Sequence, residues 1–205
     1  MSNAAKATVS LKPGILLYLI RHGETDWNRE SRYQGQRDIP LNAVGREQAR
    51  RHGEILKQFM PAITAFDFVA SPLQRAQETM RLVRGAIGLD PDGFRIAPEI
   101  AELSYGYWEG ELAAELPLKD PEGVAGKASD PYGWRPRDGE SYQDLEQRVS
   151  GWLATLSSDT IAVSHGGVSR VARGALLGID RSVVPFLEVP QDRILALSDR
   201  RQQWL

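Results

Sequence analysis

The sequence predicts an α/β domain, a three-layer sandwich in which helices cover both faces of a mostly parallel central sheet. Three observations support this fold class. Short apolar runs that resemble buried strands alternate with longer segments of helical periodicity. The run at residues 15–20, ILLYLI, is continuously apolar, as in strands that are covered on both faces. With 205 residues and 41% hydrophobic content, the chain is large enough to bury a sizeable core.

Local sequence signals set the first strand and the first long helix. ILLYLI (15–20) follows Pro13-Gly14, which mark a turn, and predicts a central strand. Asn42 can cap a helix that runs to about Met60. The residues expected on the buried face of this helix recur at spacings of four, three and four: Ala49, Gly53, Leu56 and Met60.

The second strand, FDFVA (66–70), leads into the helix with the strongest start signals. Ser71-Pro72-Leu73-Gln74 predicts an N-cap serine, a proline at the first helical position and a capping-box glutamine. Farther along, FRIAP (94–98) predicts an edge strand. The residues expected on the buried stripe of the helix are Leu73, Met80, Val83 and Ile87.

Regular patterning ends after residue 100. Residues 101–140 are rich in Pro, Gly, Asp and Glu, which predicts an irregular, lid-like excursion over one face of the domain. We expect this excursion to belong to a single domain over residues 13–205. Residues 1–12 lack periodicity and are expected to form a disordered arm.

Regular elements return in the C-terminal third. Ser141 is expected to cap a helix, and TIAVS (160–164) predicts another buried strand. A further helix is expected over residues 168–177, closed by the glycine that follows. FLEV (186–189) and RILALS (193–198) predict a final pair of strands.

The composition excludes several classes of function. Lys and Arg total 25 against 27 Asp and Glu, so no overall field would attract nucleic acid or an anionic membrane. The absence of cysteine excludes disulfides, thiolate nucleophiles and Cys-ligated metal sites. The longest apolar run, residues 14–20, is too short to span a bilayer and is not followed by a signal-peptide cleavage site. We therefore predict a cytoplasmic protein without a nucleic-acid or membrane partner.

Polar side chains suited to anion binding follow three of the predicted strands. Arg21-His22-Gly23 follows the first, Ser71 and Arg75 follow the second, and His165-Gly166-Gly167 follows the strand at 160–164. In a parallel sheet these positions meet at one edge, where ligands bind. Arginine forks and free backbone N–H groups at a helix start favour phosphate, and Asn28 is close enough in sequence to contribute an amide N–H.

Six motifs then resemble those of one known family. They occur in the family's order over about residues 14–198, and each falls at an element boundary where a ligand would bind. Together they are similar to the histidine phosphatase superfamily, also known as phosphoglycerate mutase-like, and to its phosphatase branch. The motifs are RHGETDWN (21–28), QGQRDIPLNAVGREQA (34–49), SPLQRAQET (71–79), ELSYGYWEG (102–110), GES (139–141) and SHGG (164–167).

The resemblance implies a phosphoglycerate mutase-like fold and a covalent mechanism. By similarity, His22 is the nucleophile that becomes phosphohistidine, and Glu102 is the proton donor. Gly166 contributes to substrate binding, and Gln34 stands where relatives contact the substrate. No metal or cofactor is implied. The side chains implied to hold the transferring oxygens are Arg21, Asn28, Arg75 and His165.

Some of these residues also have purely structural interpretations. Either histidine alone could be a hydrogen-bonded core residue at a strand end, although the pair, each followed by glycine, favours a functional site. Arg21 and Arg75 could instead pair with Glu24 or Asp26. The mid-helix His52 is best interpreted as solvated surface. For four aromatic residues, lining the pocket and packing the excursion onto the core both stay open: Tyr105, Tyr107, Trp108 and Trp134.

The sequence favours a phosphatase over a mutase. Phosphoglycerate mutases of this family carry an adjacent basic pair that grips the substrate carboxylate. Here the basic residues of the excursion are spread among acids, and Glu102 is followed by Leu103-Ser104-Tyr105. We therefore predict a phosphatase acting on a small phosphorylated metabolite. A mutase and a non-catalytic phospho-ligand binding module are the alternatives, and a homodimer stays open.

Overall fold

A mostly parallel sheet runs through the centre of the molecule. The computed structural model describes residues 7–60, 63–198 and 200–205. The strands are β1 Leu17–Arg21, β2 Asp67–Ala70, β3 Arg95–Ile96, β4 Thr160–Ser164, β5 Ile194–Ser198 and β6 Arg201–Trp204. Their spatial order is β3-β2-β4-β1-β5-β6; β1 to β4 are parallel to one another, whereas β5 is antiparallel to both of its neighbours, β1 and β6.

Helices cover both faces of this sheet. Residues of α2 and α3 pack on one face, and residues of α6 and α7 pack on the other, which gives the predicted three layers. Single 3-10 turns occur at Ile63–Ala65, Pro98–Ile100, Gly106–Trp108 and Val184–Phe186. The α-helices are α1 Asp26–Arg29, α2 Ala43–Phe59, α3 Gln74–Ile87, α4 Leu116–Lys119, α5 Pro121–Ser129, α6 Tyr142–Thr155 and α7 Gly166–Leu177.

Strand alternation divides the core into two clusters. Along β4, Ile161 and Val163 pack with α2 and α3, whereas Ala162 packs with α6 and α7. Successive side chains of a strand point to opposite faces, so a strand covered on both sides must be apolar throughout. The predicted α/β sandwich with a mostly parallel sheet is therefore confirmed.

The predicted helix caps are correct for α2 and α6. Asn42 Oδ1 accepts a hydrogen bond from the Gly45 N–H at 2.9 Å, and Ser141 forms a reciprocal capping box with Asp144. Gly178 ends α7 in the left-handed conformation at φ 67°. These signals act within one turn of chain, which is why the sequence reveals them.

The predicted cap of α3 is wrong. The helix begins at Gln74 with Leu73 as its N-cap, and no side chain caps it. The Ser71 hydroxyl instead lies 2.7 Å from Nε2 of His165, and the Gln74 N–H donates to Asp38 Oδ1 at 2.7 Å. Partners distant in sequence therefore replace the local capping box.

The strand predicted at FLEV (186–189) is also absent, and β5 pairs with β1 and β6 instead. Three consecutive carbonyl groups of this segment accept hydrogen bonds from arginine side chains, so they cannot enter a ladder. The donors and acceptors are Arg170 to Leu187, Arg173 to Glu188 and Arg21 to Val189, at 2.7 to 2.8 Å.

The excursion over residues 101–140 is more regular than expected. It contains α4 and α5, and α5 begins with Asp120 accepting from the Gly123 N–H and with Pro121 at the first position. An Asp-Pro pair is a helix-start signal that could have been recognised. Trp108 joins separate parts of the excursion: it is buried, its indole N–H donates to Asp120 at 2.7 Å, and its ring centroid lies 4.5 Å from that of Trp134.

The ordered fold extends farther towards the N-terminus than predicted. Residues 1–6 of the expected arm lie outside the described residues. Beyond them, the Thr8 N–H donates to the Ala175 carbonyl at 2.9 Å, and Leu11 is buried in the core. Within the described ranges, no helix combines the length and apolar character needed to cross a bilayer.

A matched pair of glycines tests how closely α2 and α3 pack. A Cβ on Gly53 would lie 2.5 Å from the Val83 carbonyl oxygen, so we expect Gly53→Ala to destabilise the protein by about 1 to 3 kcal/mol. A Cβ on the exposed Gly85 of α3 would meet nothing within 4 Å. Gly85→Ala should therefore stabilise by about 0.5 to 1 kcal/mol. Urea unfolding measures both, and equal effects would contradict the close approach at Gly53.

Candidate active site

The carboxyl ends of three neighbouring parallel strands bring the candidate residues together. Arg21, the last residue of β1, is in register with Ser164 of β4, and Ala70 of β2 is in register with Val163. The next residues of these strands are His22, Ser71 and His165, which therefore meet at one edge of the sheet, as the sequence predicts. The ring centroids of His22 and His165 are 5.1 Å apart.

Hydrogen bonds fix the protonation of the His22 ring. Nδ1 lies 2.7 Å from the carbonyl oxygen of Gly23, which can only accept, so Nδ1 carries the proton. Nε2 lies 3.2 Å from Nε of Arg75, which can only donate, so Nε2 presents its lone pair. His22 is thus a neutral imidazole whose unprotonated nitrogen faces a guanidinium group.

The surroundings of His22 also oppose its protonation. Burial, followed by the nearby charges of Arg75 and Arg21, holds the pKa of His22 well below its usual value. The pKa of His165 is lowered well below its usual value too, first by burial and then by Arg75. Both rings are therefore neutral across the physiological pH range.

Arg75 is fully buried and held by main-chain carbonyls. Its Nη1 and Nη2 atoms donate to the carbonyl oxygens of Arg37 and Gly35, each at 2.7 Å. Gly35 adopts φ 51°, and a Cβ there would lie 2.0 Å from Glu109 Oε1. The left-handed φ and the close approach of Glu109 both favour glycine at this position, whose carbonyl group accepts from Arg75.

The alternative of structural ion pairs for Arg21 and Arg75 is wrong. Among the described residues neither arginine lies within ion-pair distance of a carboxylate. Asp26 pairs with Arg29 at 3.0 Å, and Glu24 accepts from Asn42 at 2.8 Å. Both arginines are thus positioned as cations without an acidic partner in contact.

Arg21 and His165 each keep a buried polar atom without a protein partner. The Nη1 atom of Arg21 donates to the Val189 carbonyl at 2.8 Å, but its Nε has no acceptor. Nε2 of His165 lies 2.7 Å from the Ser71 hydroxyl, whereas its Nδ1 is unpaired. Buried polar groups in native proteins are nearly always hydrogen-bonded, so these two atoms, which lie beside His22, are available to a bound ligand.

Glu102 reaches the start of α7. Its two carboxylate oxygens lie 3.1 and 3.2 Å from the Gly167 amide nitrogen, and Oε1 also accepts from the Leu103 N–H at 2.8 Å. A Cβ on Gly167 would lie 2.4 Å from Oε1, so glycine is required for this approach. The carboxylate is therefore fixed by backbone donors at the edge of the cavity.

Asn28 and Gln34 are oriented by a buried threonine. The hydroxyl of Thr25 donates to Gln34 Oε1 at 2.9 Å, and the Thr25 N–H donates to Asn28 Oδ1 at 3.2 Å. Gln191 also donates to Asn28 Oδ1 at 3.2 Å and to the His22 carbonyl at 3.0 Å. Because Oδ1 is occupied, the Asn28 amide group keeps its N–H donors for another partner.

These residues surround a polar cavity of about 150 Å³. Its lining includes every residue that the sequence predicted for the site except His165, which lies fully buried beside His22. Four arginines and one glutamate line the cavity, so its charge is strongly positive. The predicted residues that line it are Arg21, His22, Asn28, Gln34, Arg75, Glu102 and Gly166.

The sequence did not reveal several neighbours of the cavity. Arg170 lines it, and its position four residues after Gly166 on the same helix was an available signal. Arg32 and Tyr33 also line it. Gln191 lies in a loop with no recognisable pattern and is brought to His22 only by the tertiary fold.

Two other expectations are settled by burial and contacts. His52 is not on the surface: it is 1% exposed, and its Nε2 lies 2.9 Å from the Gln191 carbonyl oxygen. This loop contact, remote in sequence, buries it.

Of the aromatic residues, Tyr105 lines the cavity, Trp108 and Trp134 pack against each other, and Tyr107 is 39% exposed.

Known proteins resemble this chain over nearly its whole length. An adenosylcobalamin/alpha-ribazole phosphatase of Escherichia coli K12 is 34% identical over 181 residues, covering 85% of each chain. A probable phosphoglycerate mutase of Enterobacter sp. strain 638 is 32% identical over 194 residues, covering 92% of this chain and 87% of its own.

A solved structure agrees with the fold. The mycobacterial glucosyl-3-phosphoglycerate phosphatase, determined with VO3, superposes with a TM-score of 0.77 at 28% identity and covers 93% of this chain and 97% of its own. The family model of the histidine phosphatase superfamily, branch 1, matches residues 17–204. On these grounds the chain belongs to the histidine phosphatase superfamily, as its motifs and its phosphoglycerate mutase-like fold predict.

Proposed function

We propose that this protein hydrolyses small phosphomonoesters through a phosphohistidine formed on Nε2 of His22. The family and its phosphatase members confirm the predicted enzyme class, a phosphatase of small phosphorylated metabolites. One observation carries the mechanism: Nε2 of His22 is unprotonated and lies 3.2 Å from the Arg75 guanidinium group. An imidazole nitrogen attacks phosphorus only through a free lone pair.

In the first step, Nε2 attacks phosphorus and the bond to the alcohol oxygen breaks. Negative charge spreads over the equatorial oxygens, and preplaced donors stabilise it. Arg75 contributes its Nε atom, which lies beside the attacking nitrogen. The buried Nε–H of Arg21 has no protein acceptor, and a phosphoryl oxygen supplies one. Nδ1 of His165 donates to a second phosphoryl oxygen in the tautomer in which the Ser71 hydroxyl donates to Nε2.

Glu102 is placed to move the protons. As a carboxylic acid it protonates the departing alkoxide; as a carboxylate it then removes a proton from the water that attacks phosphohistidine. Breaking the P–N bond releases inorganic phosphate and restores neutral His22. The backbone N–H groups of Leu103 and Gly167 hold the carboxylate in place for both steps.

The excursion favours hydrolysis over mutase chemistry. Lys119 pairs with Glu111 and Glu115, and Arg135 pairs with Asp144. These two cations are therefore occupied. Lys127 lies between Gly126 and Ala128 in the sequence, so it does not form an adjacent basic pair either. Because a relative is a probable phosphoglycerate mutase, mutase activity remains the alternative to test.

Four predictions from the sequence extend beyond the enzyme class. We retain a cytoplasmic location, a homodimer, a single domain and a lid-like role for the excursion as proposals. The domain, predicted over residues 13–205, then also includes Thr8 and Leu11, which contact it.

Three outcomes of one assay separate the candidate functions. In EDTA, we expect release of phosphate from p-nitrophenyl phosphate, with no conversion of 3-phosphoglycerate to 2-phosphoglycerate even with a bisphosphoglycerate primer. His22→Ala should abolish turnover and the acid-labile phosphoenzyme, because it removes the unprotonated nitrogen that lies beside Arg75 in the cavity. Wild-type turnover in this variant would refute the nucleophile assignment. Primer-dependent conversion would indicate a mutase, and inertness towards both substrates and a phosphometabolite panel would indicate a binding module.

The role of Glu102 depends on the leaving group. Glu102→Gln keeps the size of the side chain but cannot donate the proton, so alkyl phosphates should lose about 10²- to 10⁴-fold in kcat/KM. The leaving groups of aryl phosphates need less protonation by Glu102, so the rate for these substrates, measured in burst-phase kinetics, should fall less. An equal loss for both classes would mean that Glu102 acts by position alone.

Stability should fall as the pH is lowered below about 6.5, the usual histidine pKa. Burial lowers the pKa of all three histidines, so the unfolded chain binds protons that the native state excludes. Each excluded proton contributes about 1.4 kcal/mol per pH unit to this loss. Urea unfolding between pH 7 and 5.5 measures it. His52→Gln, outside the cavity, should reduce the slope, because it removes one histidine whose pKa burial lowers, and a slope of zero in the wild type would contradict neutral histidines.

A further inference from the structure

A second and larger cavity adjoins the site. Its volume is about 470 Å³, against about 150 Å³ for the cavity around His22. The two cavities share Tyr33, Tyr105 and Arg170 in their linings, so they are in contact. A volume of this size is typical of pockets that bind small organic molecules.

The walls of the larger cavity are apolar and aromatic. They come mainly from the excursion, including α4 and α5, and from residues after α7, such as the 70% exposed Phe186. Its lining contains two cations, Lys127 and Arg170, and no carboxylate.

Lys127 places a positive charge inside this apolar wall. Its ammonium nitrogen lies 3.0 Å from the Tyr33 hydroxyl and 4.8 to 5.5 Å from the ring centroids of Tyr33, Tyr105 and Trp108. No carboxylate among the described residues lies within ion-pair distance of it, whereas Lys119, on the preceding helix, contacts two. A partly buried cation without an anion is costly, and an anionic ligand would remove that cost.

Arg170 lies where the two cavities meet. Its Nε donates to the Leu187 carbonyl at 2.7 Å, and its Nη1 lies 3.4 Å from the Tyr142 hydroxyl. A Cβ on Gly166 would lie 3.5 Å from Nη1 of Arg170 and 3.8 Å from Nε of Arg21, so both guanidinium groups border the same space. The phosphoryl group held there balances Arg170, which leaves the charge of Lys127 for another part of the substrate.

We propose that the larger cavity binds the alcohol part of the substrate, and that this part carries an apolar ring and a second negative charge that Lys127 binds. The proposal rests on the proposed function, because the phosphoryl group must occupy the smaller cavity. The apolar walls bury the ring, and the ammonium group of Lys127 donates to the anion. The substrate class is thus the phosphomonoester of a ring-bearing, anionic alcohol.

A matched pair of substrates tests the second charge in the wild-type enzyme. Benzyl phosphate and 4-carboxybenzyl phosphate have similar leaving groups and differ in one carboxylate. We expect kcat/KM to be about tenfold higher for the carboxylate, the size expected for one charge-assisted hydrogen bond. Benzyl phosphate should in turn exceed methyl phosphate, which leaves the apolar cavity empty.

Three variants assign the charge preference to Lys127. Lys127→Gln keeps most of the stem and should reduce the ratio of the two benzyl substrates to about one, whereas Lys127→Arg should preserve a ratio well above one. Lys119→Gln removes a lysine of the same excursion that does not line the cavity, and should keep the wild-type ratio. A ratio unchanged by Lys127→Gln would overturn the assignment.

The wild-type measurements distinguish failure of this proposal from failure of the proposed function. If p-nitrophenyl and methyl phosphates are hydrolysed but the benzyl pair shows no preference for the carboxylate, the cavity proposal is overturned and the phosphatase stands. If no phosphomonoester is hydrolysed, both are overturned. These conclusions hold even if Lys127→Gln fails to fold, because they need no variant.

Discussion

The tautomer of the His22 ring is set by two hydrogen-bonding groups, one acceptor and one donor, that cannot exchange roles. The Gly23 carbonyl can only accept and the Arg75 guanidinium group can only donate, so the ring is fixed as one neutral tautomer with its lone pair on Nε2. The rest of the site depends on this arrangement. Arg75 is in turn fixed by the carbonyls of Gly35 and Arg37, which places the loop after α1 in direct contact with the ring's partner.

The site concentrates positive charge at the carboxyl ends of the parallel strands. Four arginines line a small cavity whose lining contains one carboxylate, and buried atoms of Arg21 and His165 lack partners. Such an arrangement is unfavourable in the free protein, and a phosphoryl dianion stabilises it. Unpaired buried groups of this kind are typical of functional sites, where a ligand supplies the hydrogen-bond partners. In the adjoining apolar cavity, Lys127 is likewise a cation whose charge an anionic group of the ligand would balance.

Much of the fold and most of the site could be predicted from the sequence. The strands β1 and β4, the caps at Asn42 and Ser141 and the glycine that ends α7 are local features, readable from periodicity and from side chains within one turn. The motif residues follow from these elements, because residues after parallel strands meet at one edge. The predictions failed where distant partners prevail: Ser71 bonds to His165 instead of capping α3, arginines bind the carbonyls of residues 187–189, and Gln191 helps bury His52.

The sequence alone determined β1, β2, β4 and the long helices, the family motifs and the identity of the candidate nucleophile, since each depends on neighbours along the chain. Only the tertiary structure decided which nitrogen of His22 is free, that Gln191 holds the His22 carbonyl, and that Arg170 joins two cavities. It also decided that the excursion builds an apolar wall around Lys127. The physical reason is the separation along the chain over which each feature acts. Helix periodicity and caps depend on residues a few positions apart. Tautomers, cavities and unpaired charges depend on groups brought together from distant parts of the chain.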